Sequence, residues 1–544
     1  MKIKLLIFFA FLLYKISAQT FTEKLLVNIE KFKSNIEFLG SDSLEGRETG
    51  TKGAVLAAEF ITNQLAELNL KPATANGYYQ NLPIHQSTPL KSSKLTLFND
   101  TTKRNFIFGK DYFIYKSGEQ TIIPSPLPMV FVGYGITAPE FDYNDYQNID
   151  VEGKIVVMLS DEPYSNVENY FNGEFPTLYS YAEAKQRIAI SRGASGSIII
   201  PNSSDDRIYN WNNYQRKFEI EDMSLAYSVS SNLNLLFNNN SASALFENCQ
   251  YSLNDVFEMC KQNKIKSFPL NVKLSFSGNF LERDFISYNV AAMLEGSDDI
   301  LKNQYLIISA HYDHLGIGPE INGDSIYNGV ADNAVGVAAV LEIARSISQM
   351  KYKPKRSIIF LFLTGEEKQL LGSSYYTDHP IVPLFKTIAN VNIDGISMFD
   401  KIKSIIGIGN EFSTLQKFLQ KTANDLNLTL TNIPPQFEQH ESFYLSDQIA
   451  FAQAGIPSIM LMEGNDYENL NKSEGNEILI NFAKNVYHTP FDDLSQKINF
   501  NAASQFIGIL ENFILKIANA DEIPEWNENS PFKNIRLKTI AEQR

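Results

Sequence analysis

Five short motifs gather the histidines, aspartates and glutamates that could do chemistry, each beside an apolar run. SAHYDHLG follows a buried strand and sets His311, Asp313 and His314 in a turn, which suits one imidazole to a metal with a carboxylate behind it. His311 is the candidate ligand, and Asp313 is expected to accept its other ring N–H and so fix the tautomer. His314 reads as structural. NGVADNAVGVAAVLEIAR places Asp332 just before a small-residue helix, as either an N-cap or a carboxylate bridging metals. FLFLTGEEKQLLGS offers the adjacent Glu366 and Glu367. Neighbouring residues need not share one direction, so one carboxylate can bind metal while the other takes a proton from an activated water. NVNIDGIS adds Asp394, and NVYHTPFDDLSQKI adds His488. Each residue alone has an ordinary reading as a turn or cap residue. Together, two His, two Asp and two Glu after strands or loops of one sheet point to metal-assisted hydrolysis.

The elements that must position these groups are legible in the hydrophobic periodicity. Beyond residue 285 the runs YLIISA, SIIFLFL, TIANVNI and PSIMLM predict strands, alternating with helices over 333–350, 411–425 and 500–519. That alternation is the pattern of an α/β domain, in which ligands collect outside the strand ends. From about 88 to 275 the pattern shifts to short segments such as KLTLF, MVFVGYGI, KIVVML, GSIII and NVKLSFSG, which predict a mostly β module. Residues 21–72 read as helical, with a turn-like SDSLEGRETGTKG before the periodic AVLAAEFITNQLAELNL. The tail beyond Glu522 is polar and is expected to be loosely attached.

A length of 544 residues exceeds what one core organises and predicts more than one domain. The formal net charge of −15 excludes a nucleic-acid partner, which requires a basic surface. Two cysteines, Cys249 and Cys260, allow one local bridge or two separate thiols, and no disulfide framework. Lys2 and Lys4 precede the apolar LLIFFAFLLY, with Ala18 before Gln19, which predicts a signal peptide and an exported protein, periplasmic, cell-surface or secreted. The apolar run is short for a membrane span, so no integral membrane segment is expected in the mature chain.

With its five motifs in this order, the chain resembles the co-catalytic zinc peptidases that include bacterial leucyl aminopeptidases, glutamate carboxypeptidase and the transferrin receptor. The resemblance covers nearly the whole mature chain. It implies an α/β core with a mixed central sheet flanked by helices and two Zn2+ ions. His311 and Asp394 would complete one site, Glu367 and His488 the other, with Asp332 bridging and Glu366 as general base. FVGYGITAPEFDYNDYQNIDVEGKIVVML and AKQRIAISRGASGSIII resemble the protease-associated domain often inserted in that family. The implied organisation is a signal peptide over 1–18, a helical part of the peptidase domain over 19–87, an inserted β domain over 88–275, the zinc peptidase core over 276–521 and a tail over 522–544.

Tyr487 matches a tyrosine that stabilises the oxyanion in some relatives, although packing beside His488 is an alternative. YLSDQIAFAQAGIPSIML matches a family stretch that commonly reads Ser-Asp-His. Ser446 and Asp447 are therefore expected in the substrate pocket, while Gln448 departs from the pattern and puts substrate preference in question. His85, His379 and His440 read as surface or packing residues. The implied activity is exopeptidase action on peptides, foremost as an aminopeptidase. A carboxypeptidase, a one-zinc glutaminyl cyclase and a non-catalytic binding protein on the same fold are the alternatives.

Overall fold

The computed structural model describes residues 27–541 except 101, 115–121, 164–169, 172–176, 203–210, 212–222, 229–231 and 434–442. The expected leader over 1–18 and His440 lie outside the described residues.

Apolar runs without alternation form strands buried on both faces. Tyr305–His311, Ser357–Leu363 and Thr387–Asn392 are such strands, with burial along almost their whole length. They pair in parallel, with Tyr305–His311 between the other two. The full sheet runs Met223–Leu225, Tyr79–Pro89, Phe280–Leu294, Ser357–Leu363, Tyr305–His311, Thr387–Asn392, Ser458–Glu463, Ser404–Ile408 and Thr429–Leu430, with Lys71–Pro72 paired to Phe280–Leu294. Its first strands are antiparallel and its centre parallel. This is the mixed α/β architecture the sequence predicts.

Successive side chains of the central strand leave by opposite faces. Leu306, Ile308 and Ala310 enter the larger core with the helices Ile29–Leu39, Lys52–Glu67, Val335–Gln349, Leu415–Asp425 and Phe500–Asn519. Ile307 enters a smaller core on the other face, with Tyr376 and Phe451. The N-terminal helical stretch is two helices joined by a tight turn, and the second has a face sunk into the core through Ala54, Ala57, Ala58, Ile61 and Leu65. Gly53 permits this: a Cβ there would lie 1.8 Å from the carbonyl oxygen of Leu44.

Residues 94–277 contribute a second, eight-stranded sheet with its own hydrophobic core. Ile155–Leu159, Gly196–Ile200 and Leu233–Phe237 pair in parallel at its centre, and Ala182–Ser191 forms a helix. This module is therefore less purely β than its short alternating segments predict. Met223–Leu225 leaves it and pairs with Tyr79–Pro89 on the first sheet. Cys249 and Cys260 are free thiols.

The tail is docked, contrary to expectation. Trp526 and Phe532 are buried with Ile408, Phe443 and Met460, and Arg536 donates from its guanidinium to the carbonyls of Leu384 and Thr387. Two aromatic rings with an apolar pocket to fill outweigh the polar composition around them. Among the described residues, no helix is long and apolar enough to cross a membrane.

Candidate metal centre

Strand register brings three motifs to one edge of the sheet. His311 pairs with Leu363, and Ser309 pairs with Asn392. Asp394, two residues past Asn392, therefore comes level with His311, while Glu366 and Glu367 occupy the turn just past Leu363. His311 Nε2 lies 3.2 Å from Asp394 Oδ1 and 3.2 Å from Asp332 Oδ1.

Asp332 is not a helix cap. It adopts extended dihedrals, φ −122° and ψ 86°, in the turn before Val335–Gln349, and that helix begins without a side-chain cap. Its other oxygen, Oδ2, faces His488 Nε2 at 3.1 Å, and His488 Nε2 lies 3.3 Å from Glu367 Oε2. Each oxygen of one carboxylate thus addresses a different imidazole. The turn is held by Asp492, whose Oδ1 accepts the N–H of Ala331 and whose Oδ2 accepts that of Asp332.

Arg47 anchors the same turn from the N-terminal segment. It is buried, and its guanidinium donates to the carbonyls of Tyr312, Leu39, Asn328 and Gly329. Burial lowers its pKa to about 10 against the pull of Asp492, Asp313, Asp332 and Glu367. The acidic cluster therefore has a fixed cation behind it. Neither Asp492 nor Arg47 stands out in the sequence, although both lie in segments, HTPFDD and GRETG, that flank or resemble site motifs.

Asp313 corrects one expectation. The ring nitrogen Nδ1 of His311 meets the backbone carbonyl of Asp313 at 3.2 Å, whereas the nearer carboxylate oxygen is 3.9 Å away. The carboxylate turns instead to the glutamate loop, accepting from Glu366 N at 3.2 Å and from the Thr49 hydroxyl at 3.0 Å. A two-residue step along the turn suits the carbonyl to the imidazole and frees the side chain to hold the next loop.

Charge follows this geometry. Burial would lower His311, but Asp394, Glu366 and its contact with Asp332 hold it well above its usual value. Burial would raise Asp332 and Glu367, yet the imidazoles facing them hold both well below the carboxylate range. Burial would lower His488, and Glu367 with Asp332 pushes it up to about 10. Glu366 moves the other way, well up, through burial and then the charges of Asp394 and Glu367. Adjacent glutamates are thereby split into one kept anionic and one with affinity for a proton.

The remaining expected residues lie around this centre. Tyr487 is half-exposed and stacks on His488, with 3.9 Å between ring centroids. Ser446 and Asp447 are buried behind the strand ends and do not present a pocket surface. Ser446 Oγ and Gln448 Oε1 both accept from Asn392 Nδ2 at 2.9 Å, and Gln448 Nε2 donates to the carbonyl of Phe443. The departure at Gln448 therefore supports the strand that carries Asp394. Burial pushes Asp447 up to about 7. His314, read as structural, lies inside the cluster, its Nδ1 2.7 Å from Glu367 Oε1. His85 pairs with Asp284, and His379 stacks on Tyr375, both away from the centre.

Among the described residues, two groups of donors fit a metal: His311, Asp332 and Asp394, and His314, Asp332 and Glu367. Imidazole nitrogens and carboxylate oxygens are the donors that zinc takes. Buried atoms without a hydrogen-bond partner, among them Glu367 Oε1 and both nitrogens of His314, support the fit.

The chain is 32% identical over 186 residues to a probable leucine aminopeptidase 2 of Aspergillus oryzae, covering 33% of this chain and 34% of that protein. It is 41% identical over 85 residues to a probable zinc metalloprotease of Pyrenophora teres f. teres, covering 15% and 17%. The chain thus spans only about a third or less of the length of these curated relatives. Among solved structures, the aminopeptidase from Aneurinibacillus sp. strain AM-1 shares the fold, with a TM-score of 0.53 at 18% identity over 91% of this chain and 95% of that one. The expectation of an exported protein is corrected: several relatives, including one of Ajellomyces capsulatus 26% identical over 119 residues, are named vacuolar membrane protease, which points away from export. Residues 289–514 match the model of peptidase family M28.

Proposed function

We propose that the chain is a zinc-dependent exopeptidase, acting as an aminopeptidase on peptides, with two metal positions that share Asp332. The observation that carries the reading is the carboxylate of Asp332, whose Oδ1 faces His311 and whose Oδ2 faces His488. In this reading His311, Asp332 and Asp394 serve one position, and Asp332, Glu367 and His488 the other. When bound, zinc supplies Lewis acidity toward a peptide carbonyl and makes a water acidic enough to react near neutral pH.

The chain supplies the proton handling. Glu366, free of the ligand set and with raised proton affinity, takes the proton of the attacking water and passes it to the leaving amine. Asp313 holds the Glu366 backbone through the N–H it accepts, so the base cannot drift from the strand end. Tyr487, exposed beside His488, offers a hydroxyl to the carbonyl oxygen as its charge grows. The domain on the second sheet reads as a protease-associated insertion, and it meets the peptidase core where its Tyr181 packs against Tyr444.

The test is metal analysis of the purified chain together with hydrolysis of peptides blocked at one end or the other. About two zinc ions per chain and cleavage only of substrates with a free amino terminus are expected. Cleavage only with a free carboxyl terminus would make it a carboxypeptidase of the same mechanism. Glu366→Gln should keep its metal and lose about 10²–10⁴ in kcat; full activity in that variant would remove the proposed base.

A further inference from the structure

We propose that His314 is a direct ligand of the metal shared by Asp332, Glu367 and His488, which closes that position with four protein side chains and leaves the position at His311, Asp332 and Asp394 with three. The inference rests on the two-metal reading above and adds to it an asymmetry between the positions.

Three observations carry it. First, the His314 side chain is fully buried and neither ring nitrogen has a hydrogen-bond partner, which costs stability unless something else satisfies the ring. Second, Nδ1 lies 2.7 Å from Glu367 Oε1 and 3.8 Å from Asp332 Oδ2. The close pair makes no hydrogen bond, since Oε1 is itself without a partner. Two donors about 2.0–2.2 Å from one zinc ion stand roughly 3–3.5 Å apart; the 2.7 Å and 3.8 Å separations bracket that spacing, and the ligand atoms of His314, Asp332 and Glu367 all lie within 4.8 Å of one another.

Third, the ring is confined where it is. It packs over Gly329, φ 61°, where a Cβ would come within 2.4 Å of the imidazole. Asn328 and Gly329 are gripped through their carbonyls by Arg47, so the floor beneath the ring is fixed. The ring centroid of His314 is 5.7 Å from that of His488, edge to face, which lets both imidazoles address one ion from different sides.

A position closed by four protein donors behaves like a structural zinc site, while one with three keeps room for water and substrate. The two metals should therefore differ in retention. The metal-free full-length chain is titrated with Zn2+ against a competing chelator, and with Co2+ while the visible spectrum is followed. Wild type should show two classes of site, the tighter one surviving chelator that strips the weaker. His314→Ala and His314→Gln should each lose about 100-fold or more in the tighter class, with a changed Co2+ absorption for that class and an unchanged weaker class.

Loss of a group that only orients another ligand costs about 10–100-fold and keeps the ligand set, so an unchanged Co2+ spectrum would overturn direct ligation. So would two classes with wild-type constants in both variants. Melting of the metal-free proteins separates folding from binding, since a variant that melts with metal-free wild type has lost only a donor. A wild-type chain that binds no zinc would instead overturn the two-metal reading itself.

Discussion

Asp332 shows how much a residue's role depends on its surroundings. In sequence it is as good a helix cap as a ligand, and the backbone decides between them by holding it in an extended conformation outside the helix. The constraint comes from Asp492, which accepts two consecutive backbone N–H groups with its two oxygens. Asp492→Asn replaces one acceptor with an amide that can only donate, so one N–H loses its partner. The variant should bind zinc about 10–100-fold more weakly while keeping every donor to the metal, measured by competition with a chelator. Unchanged affinity would show that the turn holds itself. Asp313 and His314 depart from what their motif predicts because ring and carboxylate directions depend on which loop each turn residue meets.

At the level of elements, the strands of the core are legible because each is a continuous apolar run of the right length. Ser357–Leu363 matches SIIFLFL end for end. Parallel register then completes the assembly, since any residue two or three positions past such a strand emerges at the same edge as His311. The docking of the tail is not legible, because Trp526 and Phe532 are isolated apolar residues in a polar segment and their partners lie far away in the chain. Phe532→Ala should cost about 3–5 kcal/mol of stability, read by urea unfolding. A change below about 0.5 kcal/mol would show that the tail adds nothing to the core.

For the molecule as a whole, helices on both faces of one sheet leave few places for charge, and a carboxylate trapped between them couples stability to pH. Glu511, on Phe500–Asn519, is buried against Val335–Gln349 and accepts from the Ser346 hydroxyl. Burial pushes it up to about 8, helped by Glu342 and opposed by Ser346 and Arg345. A carboxyl group whose folded pKa lies above its unfolded value of 4.5 favours the native state fully at low pH, and this contribution is lost as pH rises toward 8. Glu511→Gln should therefore gain on wild type as pH goes from 5 to 8.5, by about 1.4 kcal/mol for each pH unit crossed between the unfolded and folded pKa values, in urea unfolding at each pH. A constant difference across that range would show that Glu511 stays ionised. The α/β grammar, the strand ends and the set of side chains able to hold metal are legible in the order of residues, because periodicity and residue type are local properties. The tertiary structure alone decided which oxygen of Asp332 meets which imidazole, that Arg47 and Asp492 hold the loop and that His314 belongs to the cluster. Those outcomes rest on directions and distances between residues from different elements of the chain, which only packing can set.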